Sequence, residues 1–470
     1  DVALQAALAD VRLPPGNVAI SLQSGTLGSA VLFLAAHLRL RMSWFVSLGQ
    51  KSDVSGNDLL QFWEDDEATQ VIAIYSESLG NPRKYARIAR RVSLSRPIVS
   101  VRTGSALADE GTDALYAHTG VIEVPTVTAL LDTARTLSTQ PLMAGRRVAV
   151  VSNSPSPTML ATGSLERAGL EVVPPPQQLN WRSSSDDYRD AMRAAVGDDA
   201  IDAVMVIHAP PLATAVGEPT AAIEAVCAGA TKPVVAVMLG AGNGPLQPGS
   251  GIPSFRFPEQ AAAVLGRIAD YSDWRRAEQP HGAEPELLTD VDTDAAAELI
   301  DAHLGRGAAT PPPELVVDLL ATYGVTMSPA RLVDASEAVA AARQLGYPVA
   351  IKAQHRHPGR TTGAGVALDL ADDEDVESTV AVMQQHLGAD AASVVVQRMV
   401  PPGIDIRVRV RDEQRVGPVV SVGLGGFQAD AIGDESSRLA PVSVHAAATM
   451  IADTRAAHAL DDDACLRLAE

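Results

Sequence analysis

The stretch Gly16-Asn17-Val18-Ala19-Ile20-Ser21-Leu22-Gln23-Ser24-Gly25-Thr26-Leu27-Gly28-Ser29-Ala30-Val31 decides how the rest of the chain is read. A short apolar, β-branched run at residues 18–21 passes through a turn of small residues into an Ala/Leu-rich stretch of helical character. Strand, tight turn and helix in that order open a βα unit. Small residues at the turn let the backbone come close to an anion. The helix that starts there offers unpaired N–H groups and the positive end of its dipole. Ser24 and Gly25 are therefore candidate phosphate-binding residues, although a plain βα turn has the same composition.

The same grammar continues outward. Apolar runs at residues 45–48, 71–75 and 97–101 alternate with helical stretches and fade into a helix at 127–137, which predicts a parallel sheet with crossover helices. A second set opens at 147–151, continues at 203–207 and 233–237, and ends near Tyr271. The chain then turns acidic and rich in Ala, Gly and Pro, closing on Pro311-Pro312-Pro313, where prolines hold it extended. From Glu314 the pattern changes to α+β, with strands at 348–352, 393–397, 404–410 and 419–423. The expected domains are 1–140, 141–285, a linker at 286–313, and 314–470. No internal repeat stands out at a solenoid period.

At 470 residues the chain has room for roughly three domains, and 46% hydrophobic with 20% charged residues is a globular composition. A formal charge of -20 opposes nucleic acid and anionic lipid, so anionic ligands need local amides and a few placed cations. Cys227 and Cys465 have neither disulfide-framework nor zinc spacing, which fits a reducing cytoplasm. No apolar run nears the ~20 residues of a membrane span. The chain opens on Asp1 and closes in what reads as a helix at Glu470, so further sequence is expected on both sides.

The segments "GNVAISLQSGTLGSAV" (16–31), "FVSLGQKSDVSGNDLLQFWEDDEATQVIAIYSESLGN" (45–81) and "RPIVSVRTG" (96–104) together resemble the succinyl-CoA synthetase-like domain of the NDP-forming acyl-CoA synthetases, in order and spacing. "LGYPVAIKA" (345–353), "VVVQRMVPPGIDIRVRV" (394–410), "GPVVSVGLGGF" (417–427) and "SRLAPV" (437–442) resemble that family's ATP-grasp domain. The resemblance implies two flavodoxin-like, doubly wound α/β domains followed by an ATP-grasp α+β domain. It also implies ATP or ADP, CoA or acyl-CoA, and magnesium as cofactors, the magnesium motif lying beyond Glu470.

In that family a histidine in an "SHTG" loop carries phosphoryl between two sites, and a glutamate after a strand orients it. Glu77 matches the glutamate. The loop itself lacks about a dozen residues here, and His118-Thr119-Gly120 spells its letters at another place. His118 is thus the remaining catalytic candidate beside Glu77, while its neighbours put it at a helix C-terminus, with Gly120 as the cap and the imidazole partnering the helix dipole. In the second segment the family's paired glycines become Ser154-Pro155-Ser156-Pro157, which removes two N–H donors.

For the nucleotide the resemblance implies Lys352 at the phosphates, a hinge over 396–400 that includes Val396, Gln397 and Val400, and Asp405 near the ribose. Gly425 and Gly426 stand as phosphate-binding glycines, followed by the carboxylates Asp430 and Asp434. The family's "HKxDxGGV" has become 359–366 without its His, Lys and Asp, and His355 and His357 read as a solvated basic loop.

Selective loss of catalytic positions implies a catalytically degenerate nucleotide- and acyl-CoA-binding module, and the resemblance to the synthetase region of bacterial protein lysine acetyltransferases implies that it regulates a GNAT domain elsewhere in the same polypeptide. An active ADP-forming acetate–CoA ligase, or an ATP-grasp ligase of another substrate class, remain alternatives. Expected partners are the nucleotide and acyl-CoA, the missing CoA-binding and GNAT domains, protein substrates and further copies of the chain. Nucleic acid and membrane are not expected.

Overall fold

The computed structural model describes residues 10–49, 53–103, 110–173, 179–210, 217–278, 291–305, 307, 311–353, 365–426, 429–460 and 462–469. The chain begins with β1 (Pro15–Leu22), α1 (Gly25–His37), β2 (Met42–Ser47), α2 (Gly56–Asp65), β3 (Val71–Ser76), α3 (Pro82–Ser93), β4 (Ile98–Arg102), α4 (Glu110–Thr119), β5 (Ile122–Val124) and α5 (Val127–Thr139). The strands pair in parallel in the order β2-β1-β3-β4-β5. Helices cover both faces of such a sheet, so its central strands are apolar throughout rather than alternating. Val18, Ala19 and Ile20 of β1 are accordingly all buried, as are Ile72 and Ala73 of β3. The helices start where local chemistry dictates. Asn81 accepts the Lys84 N–H at 3.0 Å, and Pro82 fills the first helical position of α3.

A second set follows: β6 (Arg147–Ser152), α6 (Pro155–Arg167), β7 (Glu171–Val172), α7 (Ser185–Gly197), β8 (Ala203–His208), α8 (Gly217–Cys227), β9 (Val234–Met238), β10 (Gly244–Pro245), β11 (Pro253–Phe255) and α9 (Pro258–Glu278). Its sheet has the order β10-β11-β9-β8-β6-β7, with only the β10 edge antiparallel. Read from β7, the parallel strands repeat the order of the first sheet. The two sheets are therefore copies of one doubly wound topology.

The copies are joined by a continuous apolar core that runs from Val18 and Leu22 through Leu130 and Leu131 of α5 to Leu265 and Ile268 of α9. Inside this join, Arg135 and Asp132 of α5 form an ion pair at 3.1 Å with both side chains 5% exposed. Asn243 donates to the Asp132 carboxylate at 3.1 Å, and Arg135 donates to the backbone carbonyls of Gly244 and Ser254. One buried pair on α5 thus holds the β10–β11 edge of the second copy.

Residues 286–404 form a separate compact unit. It contains α10 (Thr293–Leu304), α11 (Pro313–Ala321), β12 (Ala330–Asp334), α12 (Ala338–Leu345), β13 (Val349–Ala353), β14 (Val366–Leu370), α13 (Asp373–Leu387) and β15 (Ser393–Arg398). Its antiparallel sheet runs β12-β15-β13-β14. The stretch expected as a linker at 286–313 therefore holds a helix, α10, whose Ala-rich run is capped by Asp292 accepting the Ala295 N–H at 2.9 Å.

The chain closes with β16 (Ile406–Glu413), β17 (Gly417–Leu424), α14 (Ala429–Ile432), β18 (Glu435–Leu439), α15 (Val444–Ala452) and α16 (Asp462–Ala469). Residues 405–470 group with 1–285 rather than with 286–404. The segment expected as one domain at 314–470 is thus divided between two compact units. The physical reason is apolar burial, since Val416, Val419 and Leu439 share a core with Leu115, Tyr116 and Val121 around α4.

Asp132→Ala would leave the Arg135 guanidinium buried without its carboxylate, and denaturant unfolding should show a loss of about 3–5 kcal/mol. The double variant Asp132→Leu/Arg135→Met should recover most of it, because no unpaired charge then remains.

Candidate functional site

In a doubly wound sheet the strand order reverses between the first and third strands, and the loops at their C-terminal ends part to leave a crevice. In the first copy this crevice lies between the ends of β1 and β3. Gln23, the residue after β1, spans it: its side-chain Oε1 accepts the Glu77 N–H at 2.9 Å and the Ser78 N–H at 3.3 Å. Ser24 accepts the Leu27 N–H at 3.3 Å and so caps α1. Gly25 and Thr26 are exposed at the first turn, and the space beside the Gly25 Cα is open. Glu77 is exposed on the facing loop. Three predicted residues, Ser24, Gly25 and Glu77, therefore meet around one crevice, and Gln23, which sequence reasoning passed over, holds it together.

The second copy uses the same device with different chemistry. Asn153 follows β6 and exchanges two hydrogen bonds with the Ala209 backbone, at 2.9 and 2.8 Å. Helix α6 opens at Pro155, with Pro157 two residues later. Neither proline has an N–H, so this helix start offers an anion far less than α1 does. His208 ends β8 at this crevice, 8% exposed, with Tyr188 Oη 2.9 Å from its Nδ1. Burial pulls the His208 imidazole below its ordinary pKa and pushes Tyr188 well up, so both are neutral near pH 7. The only sequence signal for His208 was its place at the end of an apolar run.

His118 lies elsewhere. It stands in the last turn of α4, ahead of Gly120 at φ +67°, the left-handed position that a glycine cap takes. Crossover helices run opposite to their strands, so the end of α4 lies at the N-terminal edge of the sheet, across from Glu77 and Ser24. Arg90 Nη1 is 3.2 Å from Nδ1 and 3.1 Å from Nε2 of His118, and Arg90 also pairs with Glu278 of α9. Burial, then the charges of Arg90 and Arg438, lower the His118 pKa to about 3. The expected partnership of an imidazolium with the helix dipole is therefore replaced by a neutral ring held beside a guanidinium.

In the unit 286–404, the Lys352 ammonium donates to Gln397 Oε1 at 2.7 Å, so β13 and β15 bring two predicted nucleotide contacts together. Val396 is different: it is fully buried in that unit's core, because alternate residues of β15 face inward. Its side chain therefore packs the core, while Val400 at the other end of the predicted hinge is exposed. Asp405 is exposed and belongs to the other compact unit. Its backbone carbonyl accepts the Gly425 N–H at 2.6 Å. A Cβ on Gly426, which has φ +79°, would come within 2.9 Å of the Asp405 carboxylate. These glycines thus let the chain pass close against Asp405. The Asp434 carboxylate accepts the Arg455 N–H at 2.9 Å. The Asp430 side chain, His355, His357 and 359–364 lie outside the described residues. Among the described residues no three His, Cys, Asp or Glu side chains form a ligand set for a metal, and no helix is long and apolar enough to cross a membrane.

Two family matches agree with this architecture. Residues 15–137 match the succinyl-CoA ligase like flavodoxin domain and residues 306–466 match the ATP-grasp domain. The chain therefore combines a succinyl-CoA ligase-like domain with an ATP-grasp domain, and its homologues are ADP-forming acyl-CoA ligases. Among them are acetate–CoA ligase [ADP-forming] I of Archaeoglobus fulgidus, 26% identical over 97% of this chain and 71% of that protein, and 4-hydroxybutyrate–CoA ligase [ADP-forming] of Nitrosopumilus maritimus, 24% identical over 94% and 69%. The apo dinucleotide forming acetyl-coenzyme A synthetase 1 of Ca. Korarchaeum cryptofilum is similar with a TM-score of 0.51 and 25% identity, over 56% of this chain and 67% of that one.

His118 provides a direct check on the geometry. The unfolded chain takes up its imidazole proton near pH 6.5, whereas the folded ring does so only near 3. Stability should therefore fall as pH drops through that interval, since the unfolded state gains a proton that the folded state resists. In denaturant unfolding from about pH 7 to pH 5, the wild type should lose stability more steeply than His118→Gln, by at most about 1.4 kcal/mol per pH unit.

Proposed function

We infer that the chain is a nucleotide- and acyl-CoA-binding module, descended from an ADP-forming acyl-CoA synthetase, that does not pass phosphoryl through a histidine. The observation that carries this reading is the separation of the expected pair. Glu77 stands with Ser24 and Gly25 at the crevice of the first sheet, while the chain has no histidine between His37 and His118, and His118 lies at the far edge of that sheet. A phosphorylated imidazole needs cradling donors of the kind α1 presents, and His118 has the Arg90 guanidinium instead.

Binding does not need that relay. Lys352 would hold the nucleotide phosphates and the stretch with Gln397 the base, with magnesium completing the charge balance when nucleotide is bound. The exposed amides of Gly25 and Thr26 would receive the anionic end of an acyl-CoA-derived ligand. The output of such a module is regulatory, and its expected target is a GNAT protein lysine acetyltransferase domain of the same cytoplasmic polypeptide.

A second reading, a working ADP-forming ligase, is favoured by His208. It lies at the crevice of the second sheet with its ring oriented by Tyr188, as an accepting imidazole requires. The ligase function of relatives that align with nearly all of this chain supports the same reading.

Incubating the full-length protein with γ-labelled ATP and magnesium separates the two. The expected result is no acid-labile protein-bound label. Stable label that disappears in His208→Ala or His118→Ala would establish the ligase. Independently, Lys352→Ala should weaken nucleotide binding by about 1.5–3 kcal/mol, the worth of a charge-assisted contact. An unchanged dissociation constant in calorimetry would remove Lys352 from the site.

A further inference from the structure

The far edge of the first sheet is not featureless. A cleft of about 1280 Å³ lies there, bounded by α3, the end of α4, the second half of α9, β18 and α15, all within one compact unit. Its lining carries eight arginines and two histidines against five carboxylates, in a chain whose formal charge is -20. So local an excess of guanidinium in so acidic a protein needs a physical cause.

Most of these cations have partners. Arg90 pairs with Glu278, Arg146 with Asp270 and Asp273, and Arg438 with Asp453. Arg87 on α3 and Arg267 on α9 differ: both line the cleft, and neither has a hydrogen bond or ion pair among the described residues. Arg267 is also partly buried, and that burial works against its charge more than the nearby Asp270 carboxylate, itself paired with Arg146, supports it. Guanidinium groups without a direct carboxylate contact in a concave wall are suited to an anion from outside, and their planar fork matches phosphate oxygens two at a time.

We propose that this cleft is a binding site for a phosphorylated small molecule, with Arg87 and Arg267 as its anchoring cations. The volume exceeds that of ordinary ligand pockets of roughly 300–1,000 Å³, so it accommodates a nucleotide as well as bare phosphate. Trp274 and Pro441 add apolar wall on which a base could rest. The site is distinct from both sheet crevices and from Lys352. Because its walls come from both doubly wound copies and from residues 405–470, an occupant ties these three parts together, which makes it an effector site. Nothing in this inference depends on whether ligase activity survives.

The test is calorimetry with ADP and with pyrophosphate on the full-length protein carrying Lys352→Ala, which weakens the other nucleotide contact. Phosphate-dependent binding should remain, and adding Arg87→Glu should weaken it by roughly tenfold or more. Adding Arg267→Gln should weaken it too, and raising salt should have the same effect. Arg87 is exposed, so its substitution reads binding rather than folding. Tighter binding of ADP than of pyrophosphate would assign a nucleotide, and equal binding an inorganic polyphosphate; either upholds the site. Failure of both probes to bind, or binding indifferent to Arg87→Glu, would overturn it.

Discussion

A crossover helix in a parallel sheet must run against its strands, because the chain has to return to the starting edge before the next strand begins. Every such helix therefore starts at the C-terminal edge of the sheet and ends at the N-terminal edge. This constraint separates donors from acceptors in the molecule. The start of α1, with Ser24 and Gly25, shares an edge with the Glu77 loop, while the end of α4, with His118, lies across the sheet. No side-chain rotation closes a gap that backbone topology has opened.

The same constraint operates twice, since both sheets share the order of a doubly wound fold. What differs is the polar chemistry at the two crevices. Gln23 and Asn153 each follow the first strand of their copy and each bind the backbone beyond the third, so the bridge is common to both. Beyond the bridge the first copy presents glycine and threonine amides, and the second presents prolines beside a buried His208–Tyr188 pair. An anion would choose the first crevice, and a neutral imidazole is available only at the second.

Burial sets how these parts are assembled. The Asp132–Arg135 pair is held by groups from the second copy at both guanidinium Nη atoms and at the carboxylate, leaving only the Arg135 Nε without a partner, which is why it is tolerated inside an apolar join. Residues 405–470 belong with the doubly wound copies because β17 and β18 bury their apolar residues around α4. That arrangement also creates the arginine-lined cleft, whose cations come from segments far apart in the chain.

Read alone, the sequence determined the element types of the doubly wound copies and the first crevice. Those features rest on local pattern, namely β-branched runs between helical stretches and the small residues Ser24, Gly25, Thr26 and Gly28. It also placed Lys352 at a strand and Gly120 at a helix cap, again from neighbours within a few residues. The helix Thr293–Leu304 was hidden by an acidic, Gly- and Pro-rich surrounding. Only the tertiary structure decided that His118 is neutral and remote from Glu77, that Gln23 spans a crevice, and that β17 and β18 share a core with α4. Each of these depends on which residues distant in sequence share a desolvated space, and local patterns carry no information about that pairing.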